Sequence, residues 1–212
     1  MTAVIFDLDG TLLDTLEDLK DATNAALTAF GYPQRSLDEV RQFVGNGAAR
    51  LLELAVPEGA DHQPVLAWFQ EYYHTHCRVK TGPYPGIPEA LKQIATEYPM
   101  AIVSNKPDLA VKALCADYFP GIFAMGEHEG CPRKPAADMV RKAMAAIGAT
   151  DCLYVGDSEV DVATAKNAGV PCLSVLWGVR DREMLEQVGA TQFCAYPAQL
   201  ADAIRKILSQ HK

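Results

Sequence analysis

An apolar run near the start of the chain ends abruptly in carboxylates, a glycine and a hydroxyl. Residues 3–6, Ala-Val-Ile-Phe, fit a strand that is covered on both faces. Asp7 and Asp9 follow at alternate positions, so both side chains would leave the strand end on the same side. Two carboxylates this close repel each other unless they share a proton or bind a hard cation, most commonly magnesium with oxygen ligands. The spacing predicts a buried strand that carries paired acids, with Gly10 and Thr11 supplying a turn and backbone donors.

Composition and charge restrict the classes of function. The 212 residues are 49% hydrophobic and 22% charged, which is ordinary for a globular protein with one core and a smaller appendage. The net charge of −8 and the pI near 5.1 argue against nucleic acid and membranes as partners, so an anionic ligand must meet local positive charge. No apolar stretch approaches the roughly 18 residues of a membrane span, and no basic segment precedes the first apolar run, so we expect a cytoplasmic protein.

The six cysteines are scattered along the chain without a Cys-x-x-Cys pair. Cys152 and Cys172 lie within apolar strand-like runs, where thiols act as small hydrophobes. We therefore expect reduced cysteines and no zinc site.

Residues 16–79 are predicted to be helical throughout. The segments Thr15 to Asp18 and Ser36 to Glu39 have the spacing of capping boxes, which indicates two helix starts. Gly45 and Gly47 separate the second helix from the third. The four helices are expected at about 16–30, 37–43, 48–55 and 61–77.

The stretch 81–88 contains three prolines and two glycines, which cannot continue a helix and mark a boundary. Beyond it, strand-like runs alternate with helical ones, as is typical of a parallel doubly wound sheet. The first strand, 3–8, precedes the helical block, so we expect an α/β core of residues 1–15 and 80–212. A helical cap domain of residues 16–79 would then be inserted into the first βα connection of this core. The alternation runs helix 88–97, strand 99–104, helix 108–116, strand 122–125, helix 136–147, strand 152–156, helix 159–168 and strand 171–176.

Polar residues at the carboxyl ends of the strands are the candidates for a site, because doubly wound sheets bind ligands there. Ser104 and the backbone N–H groups that follow it could bind an anion, although Ser104 could equally be an ordinary helix N-cap. Lys134 precedes Pro135, which favours an extended conformation from which the ammonium could project over the strand ends. The alternative for Lys134 is a solvent-exposed lysine.

Two further acids follow the strand at 152–156. Asp157 could reach a cation held by Asp7, or it could be a turn aspartate. Asp161 stands three residues after Ser158, which fits a carboxylate beside a metal and fits a capping box equally well. The opening motif has its own alternative, a strand that ends in two aspartates beside a glycine turn.

The order and spacing of these residues resemble the four motifs of the haloacid-dehalogenase-like superfamily. The stretch 155–169 and the opening Asp-x-Asp-Gly-Thr-Leu-Leu-Asp-Thr are similar to the phosphoglycolate phosphatase branch, whose helical cap lies between the first and second motifs. The chain departs from that branch in residues 126–132 and after Lys-Pro, where Ala-Ala-Asp replaces the Asn or His and Pro that are often found there. The matching motifs are Asp7-Leu-Asp9-Gly-Thr11, Ser104, Lys134 and Gly156-Asp157-Ser158-x-x-Asp161.

The resemblance implies a Rossmann-like core and a magnesium-dependent phosphomonoester hydrolase that forms an aspartyl-phosphate intermediate. Asp7 is then the nucleophile, and Asp9 is the general acid and base. Magnesium would be held by Asp7, the Asp9 backbone carbonyl and Asp157, with Ser158 and Asp161 beside it. Phosphate would be bound by Gly10, Thr11, Ser104, Asn105 and Lys134.

Other functions use related motifs and stay open at this point. A sugar-phosphate mutase returns the phosphoryl group to a sugar instead of water, and a pyrophosphatase or nucleotidase is a third possibility. A dehalogenase of the superfamily would lack the second aspartate, here Asp9. A non-catalytic relative would have lost Asp7, Asp9 or Lys134, and all three are present.

The cap is expected to determine specificity, because the core motifs recognise only phosphate. Its most irregular segment is Val44-Gly45-Asn46-Gly47, whose glycines let backbone approach a ligand closely. Arg50, one turn into the next helix, could face a substrate carboxylate; alternatively, it is solvated and the glycines merely join two helices. We expect a small phosphorylated metabolite as substrate, with 2-phosphoglycolate as the leading candidate, and a monomer or homodimer.

Overall fold

The computed structural model describes residues 1–210, which contain eight strands and ten α-helices. The strands are β1 (Thr2–Phe6), β2 (Leu13–Asp14), β3 (Gly82–Pro83), β4 (Met100–Pro107), β5 (Phe123–Glu127), β6 (Asp151–Gly156), β7 (Cys172–Val175) and β8 (Phe193–Cys194). The helices are α1 (Leu16–Ala29), α2 (Leu37–Phe43), α3 (Gly47–Ala55), α4 (Gln63–His76), α5 (Ile87–Ala95), α6 (Asp108–Tyr118), α7 (Asp138–Ala146), α8 (Glu159–Ala168), α9 (Arg182–Gln187) and α10 (Leu200–Gln210).

Six of the strands form one parallel sheet in the order β5-β4-β1-β6-β7-β8. β1 lies between β4 and β6, so that Val4 pairs with Met100 on one side and with Leu153 on the other. The chain continues from β4 to β5 at one edge, then returns past β1 and continues through β6 to β8. This reversal makes the carboxyl end of β1 the topological switch point, where doubly wound sheets bind their ligands.

Both faces of β1 are covered, as its uninterrupted apolar sequence predicts. Val4 and Phe6 join a core cluster with residues of α5 and α10, whereas Ala3 and Ile5 join a second cluster with residues of α7. All four side chains are fully buried. Truncating Ile5 to alanine would therefore cost about 2–5 kcal/mol of stability. A strand fixed this firmly holds the residue that follows it in a defined position.

Helices α1 to α4 pack around a hydrophobic cluster of their own, which includes the fully buried Leu27, Leu52 and Val65. The two connections between these helices and the sheet pair antiparallel as β2 and β3, with Leu13 opposite Pro83. The predicted fold class is confirmed, since a parallel α/β core carries an inserted helical cap.

The predicted alternation over 88–176 is confirmed, with element ends shifted by a few residues. The main difference is β4, which continues to Pro107, so the interpretation of Ser104 as a helix N-cap is wrong. Pro107 has no N–H to donate, and the chain stays extended through it until α6 begins at Asp108. Beyond residue 176, α9, β8 and α10 complete the core.

Of the two helix starts predicted from capping boxes in the cap, only the one at Ser36 carries a capping box. The Ser36 hydroxyl accepts from the Glu39 N–H at 3.2 Å, and the Glu39 carboxylate accepts from the Ser36 N–H at 2.8 Å. Thr15 makes no capping hydrogen bond. The Asp18 carboxylate instead accepts the backbone N–H groups of residues 80 and 81 at 2.9–3.0 Å. Asp18 thereby ties the start of α1 to the connection that leaves the cap.

No helix within residues 1–210 combines the length and the apolar character that a membrane crossing requires. All six cysteines are free; five are buried and Cys172 is partly exposed. They pack as small hydrophobic side chains.

Candidate active site

Asp7 extends from the end of β1 over the edge of the sheet. Its N–H donates to the Val155 carbonyl at 2.9 Å, which continues the ladder between β1 and β6. Lys134 Nζ lies 2.8 Å from Asp7 Oδ1, but its directed hydrogen bonds go to Asp161 and Tyr154. Asp7 Oδ1 is thus buried and pairs with an ammonium that makes no well-directed hydrogen bond to it. A buried carboxylate oxygen of this kind can accept a cation as its partner.

Asp157 is held rigidly by the backbone and a hydroxyl. Thr11 Oγ1 donates to Asp157 Oδ1 at 2.8 Å, and the Val179 N–H donates to Asp157 Oδ2 at 2.8 Å. A Cβ at Gly10 or at Gly178 would lie 2.3 Å from an Asp157 side-chain atom, so both positions require glycine. Gly10 and Thr11, predicted to bind phosphate, lie against Asp157. Neither lines the cavity between cap and core that is described below.

Asp161 accepts hydrogen bonds with both of its oxygens. Oδ1 accepts from Lys134 Nζ at 2.8 Å and from the Tyr154 hydroxyl at 3.2 Å. Oδ2 accepts from the Ser158 N–H and hydroxyl at 3.0 and 2.7 Å, and from the Asp157 N–H at 3.2 Å. The capping-box interpretation of Asp161 is therefore confirmed, and the same carboxylate also anchors Lys134. Tyr154 carried no sequence signal, because it lies within an apolar strand.

Asn105 fixes the backbone around Lys134. Its Oδ1 accepts the Lys134 N–H at 2.8 Å, and its Nδ2 donates to the carbonyls of Lys134 and Gly45 at 3.0 and 3.1 Å. Asn105 thereby connects the core to the loop of residues 44–47 in the cap, called the cap loop. Ser104 Oγ accepts from the Lys106 N–H at 3.2 Å, which leaves the hydroxyl hydrogen of Ser104 to donate into the cavity.

Burial shifts the pKa values of the ionisable groups in this cluster. Burial, with a smaller effect from Asp161, raises the pKa of Asp157 to about 7. Burial also raises the pKa of Asp7 well above its ordinary value, although the nearby Lys134 opposes this shift. Burial alone lowers the pKa of Lys134, but Asp161 and Asp7 outweigh it and raise that pKa well above its usual range. Three acids surround one ammonium, so a proton or a cation must balance the negative charge when all three ionise.

The donor set fits a hard metal ion. Carboxylate oxygens of Asp7, Asp157 and Asp161 lie within 4.8 Å of one another. Both Asp161 oxygens already accept hydrogen bonds, whereas Asp7 has a buried oxygen that receives no well-directed hydrogen bond. All of these ligands are oxygens, which hard divalent cations prefer. This buried acidic cluster can therefore bind a metal ion through Asp7 and Asp157.

Asp9 faces the cap and pairs with Lys106. Lys106 Nζ lies 2.9 and 3.2 Å from the two Asp9 oxygens and donates to the Tyr73 hydroxyl of α4 at 2.7 Å. Burial lowers the pKa of Lys106, but Asp9 and Tyr73 outweigh it and raise that pKa. Sequence reasoning gave Lys106 no role, although it follows Ser104 and Asn105 at a strand end.

Cap and core together enclose a cavity above Asp7 with a volume of about 50 Å³. Roughly 10–15 Å³ suffices for one water molecule, so this space has room for several waters or a small ligand group. The core contributes Asp7, Asp9, Ser104, Lys106 and Lys134 to its walls. The cap contributes Leu19, Val44, Leu51, Phe69, Tyr73 and two glycines of the cap loop, Gly45 and Gly47.

Comparison with models of known protein families identifies the family to which the chain belongs. The family model of haloacid dehalogenase-like hydrolases matches residues 4–175, which include Asp7, Lys134 and Asp157. The chain belongs to the haloacid dehalogenase-like hydrolase family.

Individual relatives of this haloacid dehalogenase-like hydrolase carry a more specific name. The phosphoglycolate phosphatase of Rhodobacter capsulatus is 37% identical over 190 residues, which cover 84% of this chain and 85% of the relative. Phosphoglycolate phosphatase 1 of Pseudomonas aeruginosa is 36% identical over 189 residues, with 82% and 69% covered. A solved structure from Lactobacillus delbrueckii subsp. bulgaricus, provisionally named a phosphoglycolate phosphatase, has a TM-score of 0.90 and 36% identity, with 95% and 97% covered. The predicted resemblance and the prediction of a phosphatase are confirmed.

In this hydrolase, the cap loop of residues 44–47 reaches the cavity. Gly45 and Gly47 both line it, and their φ values of 123° and 80° lie in the left-handed region that favours glycine. Asn46 precedes α3 without a side-chain capping bond. Arg50 pairs with Glu53 at 2.7 Å, and its side chain is 46% exposed. Arg50 does not line the cavity.

Proposed function

We propose that the protein is a magnesium-dependent phosphatase that hydrolyses 2-phosphoglycolate through an aspartyl-phosphate on Asp7. The observation that carries this proposal is the buried Asp7 Oδ1, which receives no well-directed hydrogen bond and lies 2.8 Å from Lys134 Nζ. A carboxylate placed this way can approach phosphorus while the ammonium attracts the phosphoryl oxygens. The names of the relatives support the choice of substrate.

The phosphoryl group lies against Lys134 and the hydroxyl of Ser104, both of which line the cavity. Asp7, Asp157 and the backbone carbonyl of Asp9 would hold the magnesium ion. When bound, the ion would neutralise charge on the phosphoryl oxygens, which an anionic nucleophile needs in order to approach an anionic ester. Asp161 and Ser158 act indirectly, because they fix Lys134 and the start of α8.

Two displacements complete the reaction. An Asp7 oxygen attacks phosphorus, the bond from phosphorus to the ester oxygen breaks, and Asp9 donates its proton to the leaving alcohol. Asp9, now ionised, takes a proton from water, and the hydroxide attacks the phosphorus of the aspartyl-phosphate. The bond from phosphorus to Asp7 breaks, which releases phosphate and restores both carboxyl groups. Lys106, paired with Asp9 at 2.9 Å, keeps that carboxyl beside the leaving group.

Residues 16–79 act as the cap domain, and residues 1–15 and 80–212 act as the core domain. The separate hydrophobic cluster of the cap supports this division. The paired connections β2 and β3 provide two adjacent hinge strands between the domains. The cap loop with Gly45, Asn46 and Gly47 limits the cavity and thereby sets specificity.

The lining of the cavity favours this function over the two enzyme alternatives. A mutase must bind the hydroxyls of a sugar bisphosphate, and a nucleotidase must bind a nucleoside, whereas the cap side chains at the cavity are mostly apolar. Six free thiols support a reducing, cytoplasmic location. The protein works as a monomer or homodimer, which light scattering distinguishes.

A panel of phosphate esters tests the proposal. Purified protein is assayed with 2-phosphoglycolate, glucose 1-phosphate, AMP and pyrophosphate, each with magnesium and with excess EDTA. We expect 2-phosphoglycolate to give the highest kcat/KM and activity to disappear in EDTA and return with magnesium. Full activity in EDTA, or a clear preference for another ester, would overturn the corresponding part of the proposal.

A further inference from the structure

Lys106 is a buried cation at the wall of the cavity. Its side chain is 2% exposed, and its Nζ contacts both Asp9 oxygens and the Tyr73 hydroxyl. The other lysine that lines the cavity, Lys134, lies between Asp7 and Asp161 and faces the phosphoryl position. Among residues 1–210, these two are the only basic side chains on the cavity wall. The cavity therefore offers one cation for phosphate and a second one, Lys106, whose charge becomes available to another anion when Asp9 carries the proton that it donates to the leaving group.

The position of Lys106 is fixed relative to the leaving group. The ester oxygen must lie within hydrogen-bond reach of Asp9, because Asp9 protonates it. Lys106 Nζ touches that same carboxylate at 2.9 Å. A substituent on the carbon next to the ester oxygen therefore comes within reach of the ammonium. This substituent is the acid group in a short 2-(phosphooxy) acid.

Tyr73 supplies a second donor at the same place. Lys106 donates to the Tyr73 oxygen at 2.7 Å, so the hydroxyl hydrogen of Tyr73 points elsewhere. Within residues 1–210, the structure gives this hydrogen no acceptor. An ammonium N–H and a phenol O–H side by side can bind the two oxygens of one carboxylate. The remaining cap side chains on the wall are apolar, with Leu51 and Phe69, and these side chains offer no hydrogen-bond partners for the hydroxyls of a sugar.

We propose that Lys106 and Tyr73 form the subsite that binds the carboxylate of the substrate, and so select short phosphorylated 2-hydroxy acids over neutral esters. This inference rests on the proposed phosphatase function and assigns its substrate class. Lys106 belongs to β4 of the core and Tyr73 to α4 of the cap. The subsite is thus complete only when cap and core lie as they do here.

The test compares two esters of equal length, 2-phosphoglycolate and 2-hydroxyethyl phosphate, in which a neutral alcohol replaces the carboxylate. The measured quantity is the ratio of the two kcat/KM values, because any effect of Lys106 on Asp9 changes both esters and cancels. Lys106→Met should reduce this ratio about 10- to 100-fold, which is the worth of a charged hydrogen bond. Tyr73→Phe should reduce it by less, chiefly through KM for 2-phosphoglycolate. The control Lys112→Met, at a lysine whose side chain is 62% exposed, should leave the ratio unchanged.

A binding measurement covers the case in which Lys106→Met is inactive. Calorimetry in an Asp7→Asn background gives the Kd of each ester with and without Lys106→Met, and thermal melts verify the fold. The inference is overturned if the variant weakens both esters equally while the unmodified enzyme still prefers 2-phosphoglycolate; the proposed function then stands. If the unmodified enzyme shows no preference for the acid, both the inference and the proposed substrate are wrong.

Discussion

Arg180 and Glu159 form a two-point salt bridge at the boundary between core and cap. Arg180 Nε lies 2.7 Å from Glu159 Oε2, and Nη2 lies 3.0 Å from Oε1. The same guanidinium donates to the carbonyls of Arg41 and Val44 at 2.8 and 2.9 Å. These carbonyls lie at the end of α2, where helix carbonyls lack partners and favour a positive charge. Arg180, a core residue, therefore supplies hydrogen-bond donors to the carboxyl end of the cap helix α2.

Replacing Arg180 by methionine should loosen the cap. The change removes charged hydrogen bonds from a side chain that is 7% exposed, but Glu159 remains 32% exposed and can be solvated. We expect a loss of about 1–3 kcal/mol in the free energy of unfolding, measured by urea denaturation, and a rise in KM for the substrate. Arg180→Lys should retain only part of the stability and of the affinity for substrate that Arg180→Met loses, because lysine cannot make the two-point contact.

The matched control is Arg182→Met, whose guanidinium pairs with Glu186 at 2.7 Å with both side chains more than half exposed. That change should cost less than about 1 kcal/mol and leave KM unchanged. Equal effects of the two variants on KM would show that Arg180 does not hold the cap.

Asp7→Asn should remove turnover without unfolding the protein. Asparagine keeps the size of the side chain but is not a nucleophile, so kcat should fall roughly 10³-fold or more. Because burial makes the ionised Asp7 unfavourable, the variant should also melt at the same or a higher temperature in EDTA. Asp14→Asn, at an exposed aspartate, serves as the control. Near-normal hydrolysis by a folded Asp7→Asn protein would contradict the mechanism.

Metal-free protein should lose stability as the pH rises from about 4 to about 7. The pKa of Asp157 is raised by burial from an ordinary value of 3.8 to about 7. The folded state therefore binds this proton more tightly than the unfolded state does. The resulting stabilisation is fully present below the ordinary pKa, decreases as the pH rises towards the folded pKa, and does not change further above it.

Thermal melts in EDTA across this range measure the effect. Magnesium should reduce the slope, because the cation binds the ionised carboxylates in place of the proton. Asp157→Asn should reduce it as well. Stability that stays level or increases with pH in EDTA would show that Asp157 ionises normally.

The sequence was sufficient to predict that Asp7 and Asp157 meet at one edge of the sheet. Asp7 and Asp157 directly follow apolar strands, and parallel topology brings such positions to one edge. Lys106 and Arg180 could not be assigned in this way, because their partners lie far away in the chain and in the cap. The Tyr73 contact spans 33 residues, and the Arg180 contact with Val44 spans 136. Such contacts depend on how the cap sits on the core, which no local pattern encodes.

Local patterns also failed where a tertiary partner competed for the same group. Ser36 and Thr15 both begin a capping-box pattern, and only Ser36 forms one. The acid three residues after Thr15 is Asp18, and its carboxylate binds the backbone of residues 80 and 81 instead. The sequence pattern predicted a possible local hydrogen bond, but it could not predict the N–H groups of residues 80 and 81 that compete for the same carboxylate.

Gly47 offers a test of the contact between the cap loop and the core. Its φ is 80°, and a Cβ there would lie 3.2–3.3 Å from Arg133, Glu127 and the Asn105 carbonyl. Gly59 also has a φ of 80°, but a Cβ there would meet nothing within 4 Å. Alanine at either position carries the strain of a left-handed conformation, about 1–2 kcal/mol. Only alanine at Gly47 adds a contact with the core.

Gly47→Ala should therefore reduce kcat/KM for 2-phosphoglycolate several-fold more than Gly59→Ala, while both lose similar stability in urea. The extra methyl group pushes the cap loop away from the core and enlarges the cavity that recognises the substrate. A small aryl phosphate, which does not need the complete cavity, should be affected less. If Gly47→Ala and Gly59→Ala change kcat/KM equally, the loop merely joins α2 to α3, and specificity comes from another part of residues 16–79.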